Sequence, residues 1–223
     1  FHAAAYKHVP ICENSWYTCL KENVLGFKNI LDISSRSRNL MLVLVSSDKA
    51  VNPTNIMGVS KRLCEILLQS SSFSNKCFVR FGNVIGSSGS VIPKFIGQIE
   101  KGGPVTVTHP EMTRYFMSIP QAVNLILHAG VLKTSEFYVL DMGAQVKIVD
   151  IVNKLISYHQ NRYSTNSFDE HDIEIEYIGL RPGEKLYEEL NLGDSLVKTS
   201  VKGLLTANEP MSLNVELIYD FLA

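Results

Sequence analysis

The stretch Leu40-Met41-Leu42-Val43-Leu44-Val45-Ser46-Ser47-Asp48-Lys49-Ala50-Val51-Asn52-Pro53-Thr54-Asn55-Ile56-Met57-Gly58-Val59-Ser60-Lys61-Arg62 reads as strand, turn and helix, and it decides the architecture. Leu40 to Val45 is short, apolar and rich in branched side chains without polar alternation, which is the pattern of a buried strand in a parallel sheet. Asn52-Pro53 bars helix until Thr54 or Asn55 can cap one, and Ile56, Val59, Leu63, Ile66 and Leu67 then recur at helical spacing. Met57 and Lys61 lie four residues apart, so both point to one face beside the carboxyl edge of the sheet. Open α/β sheets bind their ligands at that edge.

Upstream, the chain opens without Met on Phe1-His2-Ala3-Ala4-Ala5-Tyr6-Lys7-His8-Val9-Pro10, which reads as the end of a strand entering a loop, so the start is expected to be missing. Three alanines there either let a flat or charged cofactor approach the backbone or serve tight helix packing. Asn14 or Ser15 can cap a long helix whose buried stripe is Trp16, Leu20, Val24, Phe27 and Leu31, with Asn23 off the stripe. Downstream, Lys76 to Phe81 is a further strand, and Gly82 to Pro93 is a glycine and serine loop leading into a helix from Val91 to Lys101. Backbone N–H groups in such a loop suit a phosphate or the polar edge of a sugar, while an ordinary turn has the same composition.

Beyond Gly102, strands are predicted at Val105 to Thr108, Met112 to Met117, Phe137 to Leu140 and Ile173 to Ile178. Helices are predicted at Gln121 to Leu132 and Val146 to Tyr158, the second with a core face of Ile148, Ile151, Val152, Leu155 and Ile156. Asn161 to Asp172 reads as polar loop, Gly179 to Lys185 as a charged turn, and residues beyond Leu190 are weakly patterned.

At 223 residues, 45% hydrophobic and 19% charged, the chain can form one domain with a sizeable core, or one domain plus a small lobe. Lys and Arg number 21 against 22 Asp and Glu, a balance that lacks the basic field nucleic-acid binding needs. Cys12, Cys19, Cys64 and Cys77 form no Cys-x-x-Cys pair, which implies reduced thiols, a cytoplasmic setting and no metal site. No apolar run approaches a membrane span and no signal peptide is evident, so this chain is read as soluble and without membrane contact.

Six motifs then occur in order: His2-Ala3-Ala4-Ala5-Tyr6-Lys7-His8-Val9-Pro10, Ser47-Asp48-Lys49-Ala50, Met57-Gly58-Val59-Ser60-Lys61, Arg80-Phe81-Gly82-Asn83-Val84-Ile85-Gly86, Thr113-Arg114-Tyr115-Phe116-Met117 and Arg181-Pro182-Gly183-Glu184-Lys185-Leu186. Together they resemble the extended short-chain dehydrogenase/reductase superfamily, in its polysaccharide-biosynthesis branch of UDP-N-acetylglucosamine 4,6-dehydratases. The resemblance implies an α/β fold, the carboxyl-terminal part of a Rossmann-like doubly wound parallel sheet with a small substrate-binding lobe. Residues 1–102 would complete the NAD-binding domain and carry the catalytic motif. Residues 103–223 would mainly form the nucleotide-sugar lobe, interleaved with that domain.

Two departures from the family pattern stand out. Its Gly-x-Gly-x-x-Gly loop is absent, so the chain is expected to be a carboxyl-terminal fragment. Met57 stands where most of the superfamily has tyrosine, and a thioether has no ionisable proton. One sub-branch, often fused to a membrane region, also has Met there, which implies a branch marker and a parent anchored at the inner face of the membrane.

The implied reaction takes a UDP-sugar to its 4-keto-6-deoxy product with NAD. Lys49 would remove the C5 proton, Asp48 would protonate the departing C6 hydroxyl, and Lys61 would hold the nicotinamide ribose beside Met57. With tyrosine absent, Asp48, a neutral Lys61 or water would take the C4 hydroxyl proton. Ala3, Ala4, Asn23, Ser46 and Lys61 would line the cofactor. Ser47, Asn83, Arg114, Arg181 and Glu184 would face the nucleotide sugar, the arginines on its diphosphate and Glu184 on its ribose. The full-length protein is expected to be a homo-oligomer. A nucleotide-sugar 4-epimerase, or a non-catalytic UDP-sugar-binding remnant, are the competing readings.

Overall fold

A computed structural model describes residues 1–37, 39–163, 173–193 and 196–207, together with Glu216 and Ile218. In chain order, helices α1 (Val9–Asn14), α2 (Trp16–Leu20) and α3 (Gly26–Ser34) precede strand β1 (Leu42–Val45), helix α4 (Ile56–Ser70) and strand β2 (Lys76–Arg80). Strand β3 (Asn83–Ile85), helix α5 (Val91–Ile99), strands β4 (Val105–Val107), β5 (Thr113–Arg114) and β6 (Phe116–Ser118), and helix α6 (Ile119–Leu132) follow. Strands β7 (Phe137–Leu140) and β8 (Val146–Lys147), helix α7 (Ile148–Tyr163), and strands β9 (Ile175–Tyr177), β10 (Val197–Lys198) and β11 (Leu204–Thr206) complete the described chain.

The main sheet has the order β1-β2-β7-β11-β10. Its first three strands are parallel, while β11 runs antiparallel to β7 and to β10. His2 bridges Leu44 in parallel, which places the alanine run at the same carboxyl edge as Ser46 and Phe81. Side chains alternate across the sheet, as the two-residue period of a strand requires. Leu42, Leu44, Phe78, Phe137 and Val139 pack with Val24, Phe27, Leu31 and Leu67 of α3, α4 and the turn between α2 and α3 on one face. Val43, Cys77, Val79, Tyr138 and Leu140 pack with Ala122, Leu125 and Ala129 of α6 on the other. Helices on both faces make this the doubly wound arrangement expected from the sequence. A third, smaller core gathers Phe95, Ile99, Val105, Val107, Met112, Ile148 and Val152.

Several expectations need correction. Ser15 stands at the N-cap position of α2 but makes no side-chain cap, and helix already begins upstream, where α1 starts at Val9 with Pro10 in its first turn and a missing N–H costs nothing. The helix breaks at Ser15 and passes through a π-helical turn at Lys21–Leu25. Leu20, Val24, Phe27 and Leu31 are buried as expected, but Trp16, the first residue after the break, is 51% exposed. Cys12 and Cys19 fill the contact with Met57 instead. Helix α7 runs through Asn161 to Tyr163, and the rest of the predicted polar loop lies outside the described residues. The weakly patterned tail contributes β10 and β11, of which Leu204 is fully buried. All four cysteines are free and buried.

One buried ion pair fixes α4 against the sheet. Glu65 and Arg80 are both fully buried. Arg80 donates to Glu65 Oε1 from Nε at 2.8 Å and to Oε2 from Nη2 at 2.7 Å. Arg62 Nη1 and Ser46 Oγ donate to the same carboxylate. The guanidinium lies 4.6 Å from the Phe137 ring centroid, which stacks on Phe78. A bidentate pair with its remaining acceptors filled is the form in which buried charge is tolerated. Removing one partner leaves an uncompensated charge, so Glu65→Ala is predicted to cost about 3–5 kcal/mol. Urea unfolding monitored by circular dichroism checks this, and a loss below about 1 kcal/mol would contradict the anchor's role.

Candidate functional site

The turn after β1 is built by local chemistry. Ser47 is extended, and its Oγ accepts from Lys49 N and donates to Asp48 Oδ1 at 2.8 Å, closing a short 3-10 turn over Asp48–Ala50. Asp48 N donates to Phe81 O at 3.0 Å, which ties the turn to the end of β2. Helix α4 starts at the second of the two cap candidates: Asn55 Oδ1 accepts from Gly58 N at 2.8 Å. A Cβ on Gly58 would stand 2.2 Å from the Lys49 carbonyl oxygen. Only glycine lets the first turn of α4 press against the Asp48–Lys49 backbone.

The predicted catalytic residues gather at this junction. Asp48 is 1% exposed and its Oδ1 accepts from Lys49 Nζ at 3.0 Å, whereas Oδ2 is buried and has no partner among the described residues. Lys49 Nζ also lies 3.5 Å from Asn83 Oδ1 and 3.5 Å from Glu188 Oε1. Burial alone would lower the Lys49 pKa, but the nearby Asp48 and Glu188 carboxylates together raise it above the ordinary lysine value. Lys49 is therefore held as an ammonium beside Asp48. The pairing of an acid Asp48 with a neutral Lys49, expected with substrate bound, has one proton moved along the 3.0 Å hydrogen bond. Lys61 Nζ donates to Val45 O at 2.9 Å, and burial lowers its pKa. Met57 is buried against Cys12 and Cys19.

Two adjoining cavities open from here. One, of about 400 Å³, is lined by Ala3, Ala5, Ser46, Ser47, Met57 and Lys61 among others. The other, of about 460 Å³, is lined by Lys94, Arg114, Arg181, Glu184 and Glu188 among others. Lys49, Asn83, Gly89, Ser90 and Val91 belong to both walls. Of the residues expected to serve the cofactor, Ala3, Ser46 and Lys61 line the first cavity; of those expected on the sugar nucleotide, Arg114, Arg181 and Glu184 line the second, Asn83 lines both, and Ser47 lines the first alone.

Not every expected residue faces a cavity. Ala4 lines neither. Asn23, expected off the buried stripe, is 2% exposed and is engaged by Tyr6 N at 2.7 Å, Tyr6 O at 3.0 Å and Ser60 Oγ at 2.8 Å. It pins the segment after the alanine run to α4. Ser46 lines the first cavity but donates its hydroxyl to Glu65. Arg114, expected on a diphosphate, gives Nη1 to the carbonyls of Thr113 and Leu186 and Nη2 to that of Lys185. Its Nε lies 3.6 Å from Glu188. Arg114 clamps the Arg181–Leu186 segment onto β5. From the other side, Thr54 Oγ1 and Asn55 Nδ2 donate to Gly183 O, and Gly183 has φ +75°.

Sequence reading missed Glu188 and Lys94. Lys94 donates to Thr106 Oγ1 at 2.9 Å, and its pKa is lowered first by burial and then by the charge of Arg181. Lys94 and Arg181, two cations lining one cavity, make a place for an anion. Neither residue sits in a polarity pattern that sets it apart from its neighbours. Among the described residues no group of three metal-ligating side chains occurs, and no helix is long and apolar enough to cross a membrane.

Residues 1–209 match the model of a family described as polysaccharide biosynthesis protein. The chain is 52% identical over 195 residues to the capsular polysaccharide biosynthesis protein CapD of Staphylococcus aureus, covering 85% of this chain and 31% of that protein. The same identity holds over 194 residues for the probable polysaccharide biosynthesis protein EpsC of Bacillus subtilis, again 31% of its length. A UDP-glucose 4-epimerase of Rickettsia canadensis is 37% identical over 209 residues, 91% of this chain and 58% of the epimerase. The X-ray structure of Pen from Bacillus thuringiensis superposes with a TM-score of 0.81 at 30% identity, covering 100% of this chain and 74% of Pen. This chain thus spans about a third of CapD and EpsC. With the match running through both cavities and all six motifs, the chain belongs to the family described as polysaccharide biosynthesis protein, and its sheet is Rossmann-like.

Proposed function

We propose that this chain carries the catalytic and sugar-nucleotide-binding machinery of an NAD-dependent 4,6-dehydratase acting on a UDP-N-acetylhexosamine such as UDP-N-acetylglucosamine, for surface polysaccharide synthesis. The observation that carries the reading is the buried Asp48–Lys49 pair at the junction of two cavities. The first cavity fits a dinucleotide's nicotinamide end: it lies at the sheet's carboxyl edge, Ala3 and Ala5 leave its floor open, and Lys61 is fixed there by Val45 O. When bound, NAD supplies a hydride acceptor for sugar C4 and returns that hydride at C6. A ketone at C4 makes the C5 proton acidic, so a moderate base suffices once it is well placed.

Lys49 is that base and Asp48 the acid that lets the C6 hydroxyl leave as water. Asp48 Oδ2, buried and without a partner among the described residues, is an acceptor placed to meet a sugar hydroxyl. In the second cavity, Arg181 and Lys94 supply positive charge for the diphosphate, and Glu184 offers acceptors to the ribose. Arg114 acts one step back, holding the Arg181–Leu186 segment in place.

A 4-epimerase is the second reading, favoured by the epimerase name of the Rickettsia relative. Epimerisation removes no water and has no use for an acid and base at C5 and C6. In the complete protein with UDP-N-acetylglucosamine, mass spectrometry should find a product lighter by one water. A product of unchanged mass would establish the epimerase. Asp48→Asn and Lys49→Ala should each lower dehydration by about 10²–10⁴-fold while leaving NAD binding intact. Near-normal turnover in either variant would refute the assignment. Arg181→Ala should weaken UDP-sugar binding by roughly tenfold to a hundredfold, the loss of one charge-assisted bond, with turnover little changed. Calorimetric titration against kinetics separates the two, and a large fall in turnover at unchanged affinity would contradict this role.

A further inference from the structure

Glu188 lies deeper than its neighbours in sequence. It is 4% exposed, while Glu189 beside it is exposed. Glu188 Oε1 lies 3.5 Å from Lys49 Nζ and 3.6 Å from Arg114 Nε, and Oε2 is buried without a partner among the described residues. Asp48 is also bound to Lys49 through one oxygen, with Oδ1 engaged and Oδ2 without a partner among the described residues. The charged groups facing this cluster are Arg114, whose Nη groups are held by carbonyls, and Lys185, whose Nζ is held by Val51 O at 2.8 Å. The lysine ammonium is therefore flanked by two buried carboxylates, each with an open acceptor.

Proton counting, which rests on the dehydratase reading, gives the second carboxylate a task. Elimination needs Asp48 protonated and Lys49 neutral, and oxidation of the C4 hydroxyl releases one proton more. If Asp48 takes that proton it becomes the acid required at C6. Lys49 still holds its own proton and cannot accept the one at C5. A further buried acceptor is needed, and the Met57 thioether offers none.

We propose that Glu188 is that acceptor, taking the Lys49 proton across the 3.5 Å contact once Asp48 is neutralised and returning it at the end of the cycle. The count closes. The C5 proton passes to Lys49 while the C5 electron pair forms the C5–C6 double bond and the C6–O bond breaks. The Asp48 proton leaves with that oxygen as water. Lys49 returns its proton to C5 as the hydride that left C4 arrives at C6, and Glu188 then reprotonates Lys49. No net proton or oxidant is consumed. The transfer is favourable because neutral Asp48 removes one of the two charges that stabilise the buried ammonium, and burial favours neutral partners. Glu188 touches Lys49 rather than the sugar, so it is a positioning residue.

Glu188→Gln and Glu188→Asp in the complete protein test this in two arms. In the first, the pH at which Lys49 becomes acetylated by acetic anhydride is read by peptide mass spectrometry, without substrate or cofactor. The midpoint should fall by about 1–3 pH units in Glu188→Gln, from loss of an adjacent opposite charge, and stay near wild type in Glu188→Asp. In the second, turnover of Glu188→Gln should fall roughly 10²-fold near pH 7 and recover about tenfold per pH unit above it, because solvent must then take the Lys49 proton. Wild type and Glu188→Asp should vary little over that range. An unshifted midpoint, or an equal loss of turnover at every pH, in an enzyme that dehydrates overturns the Glu188 role alone. A wild-type protein that removes no water overturns the dehydratase reading and the proton count with it, whatever the acetylation arm gives.

Discussion

The site depends on a carboxylate that takes no part in it. Glu65, buried in the middle of α4, receives Arg80 from β2 and Ser46 from the end of β1, so one side chain sets the helix against two strands of the sheet. Displacing α4 would leave buried charge unmatched, at a cost of several kcal/mol, and the helix therefore has one position. From that position Lys61 reaches Val45 O, and Gly58 meets the carbonyl of Lys49. Lys61 and the Asp48–Lys49 turn are held by the same element.

Charge balance around Lys49 gives the site its second property. Two carboxylates and two cations, Asp48, Glu188, Lys49 and Arg114, share a nearly dry volume, and each carboxylate keeps one oxygen free of any partner among the described residues. A buried unpartnered oxygen carries a desolvation cost that a ligand hydroxyl can relieve. The arrangement leaves two buried acceptors in place for the hydroxyl groups of a ligand. Under the proposed proton route through Asp48, Lys49 and Glu188, position 57 needs no ionisable proton, and Met57 walls the cavity and packs on Cys12 and Cys19.

Much of the frame was legible because its signals are local. The apolar run ending at Val45, the Asn-Pro stop, the spacing from Ile56 to Leu67, and the span Phe137 to Leu140 each report their own backbone state, and the structure places β1, α4 and β7 there. What stayed hidden depends on partners far along the chain. Trp16 carried the right spacing but lost its burial to the break at Ser15, and β10 and β11 are too short for alternation to register. Asn23 looked solvated because its partners, Tyr6 and Ser60, lie 17 and 37 residues away. Glu188 and Glu189 are indistinguishable in a sequence, yet one is buried against Lys49 and the other reaches Asn52 and Lys185 at the surface.

The central claim is that two ligands approach from separate cavities and that the sugar between them rests on Lys49 and Asp48. Its most direct test is a crystal structure of the complete protein with NAD and UDP-N-acetylglucosamine bound together. The account predicts nicotinamide in the space lined by Met57 and Lys61, the diphosphate beside Arg181 and Lys94, and hexose carbons 5 and 6 within reach of the lysine amine and the aspartate. A hexose seated away from that pair, or both ligands sharing one cavity, would contradict it.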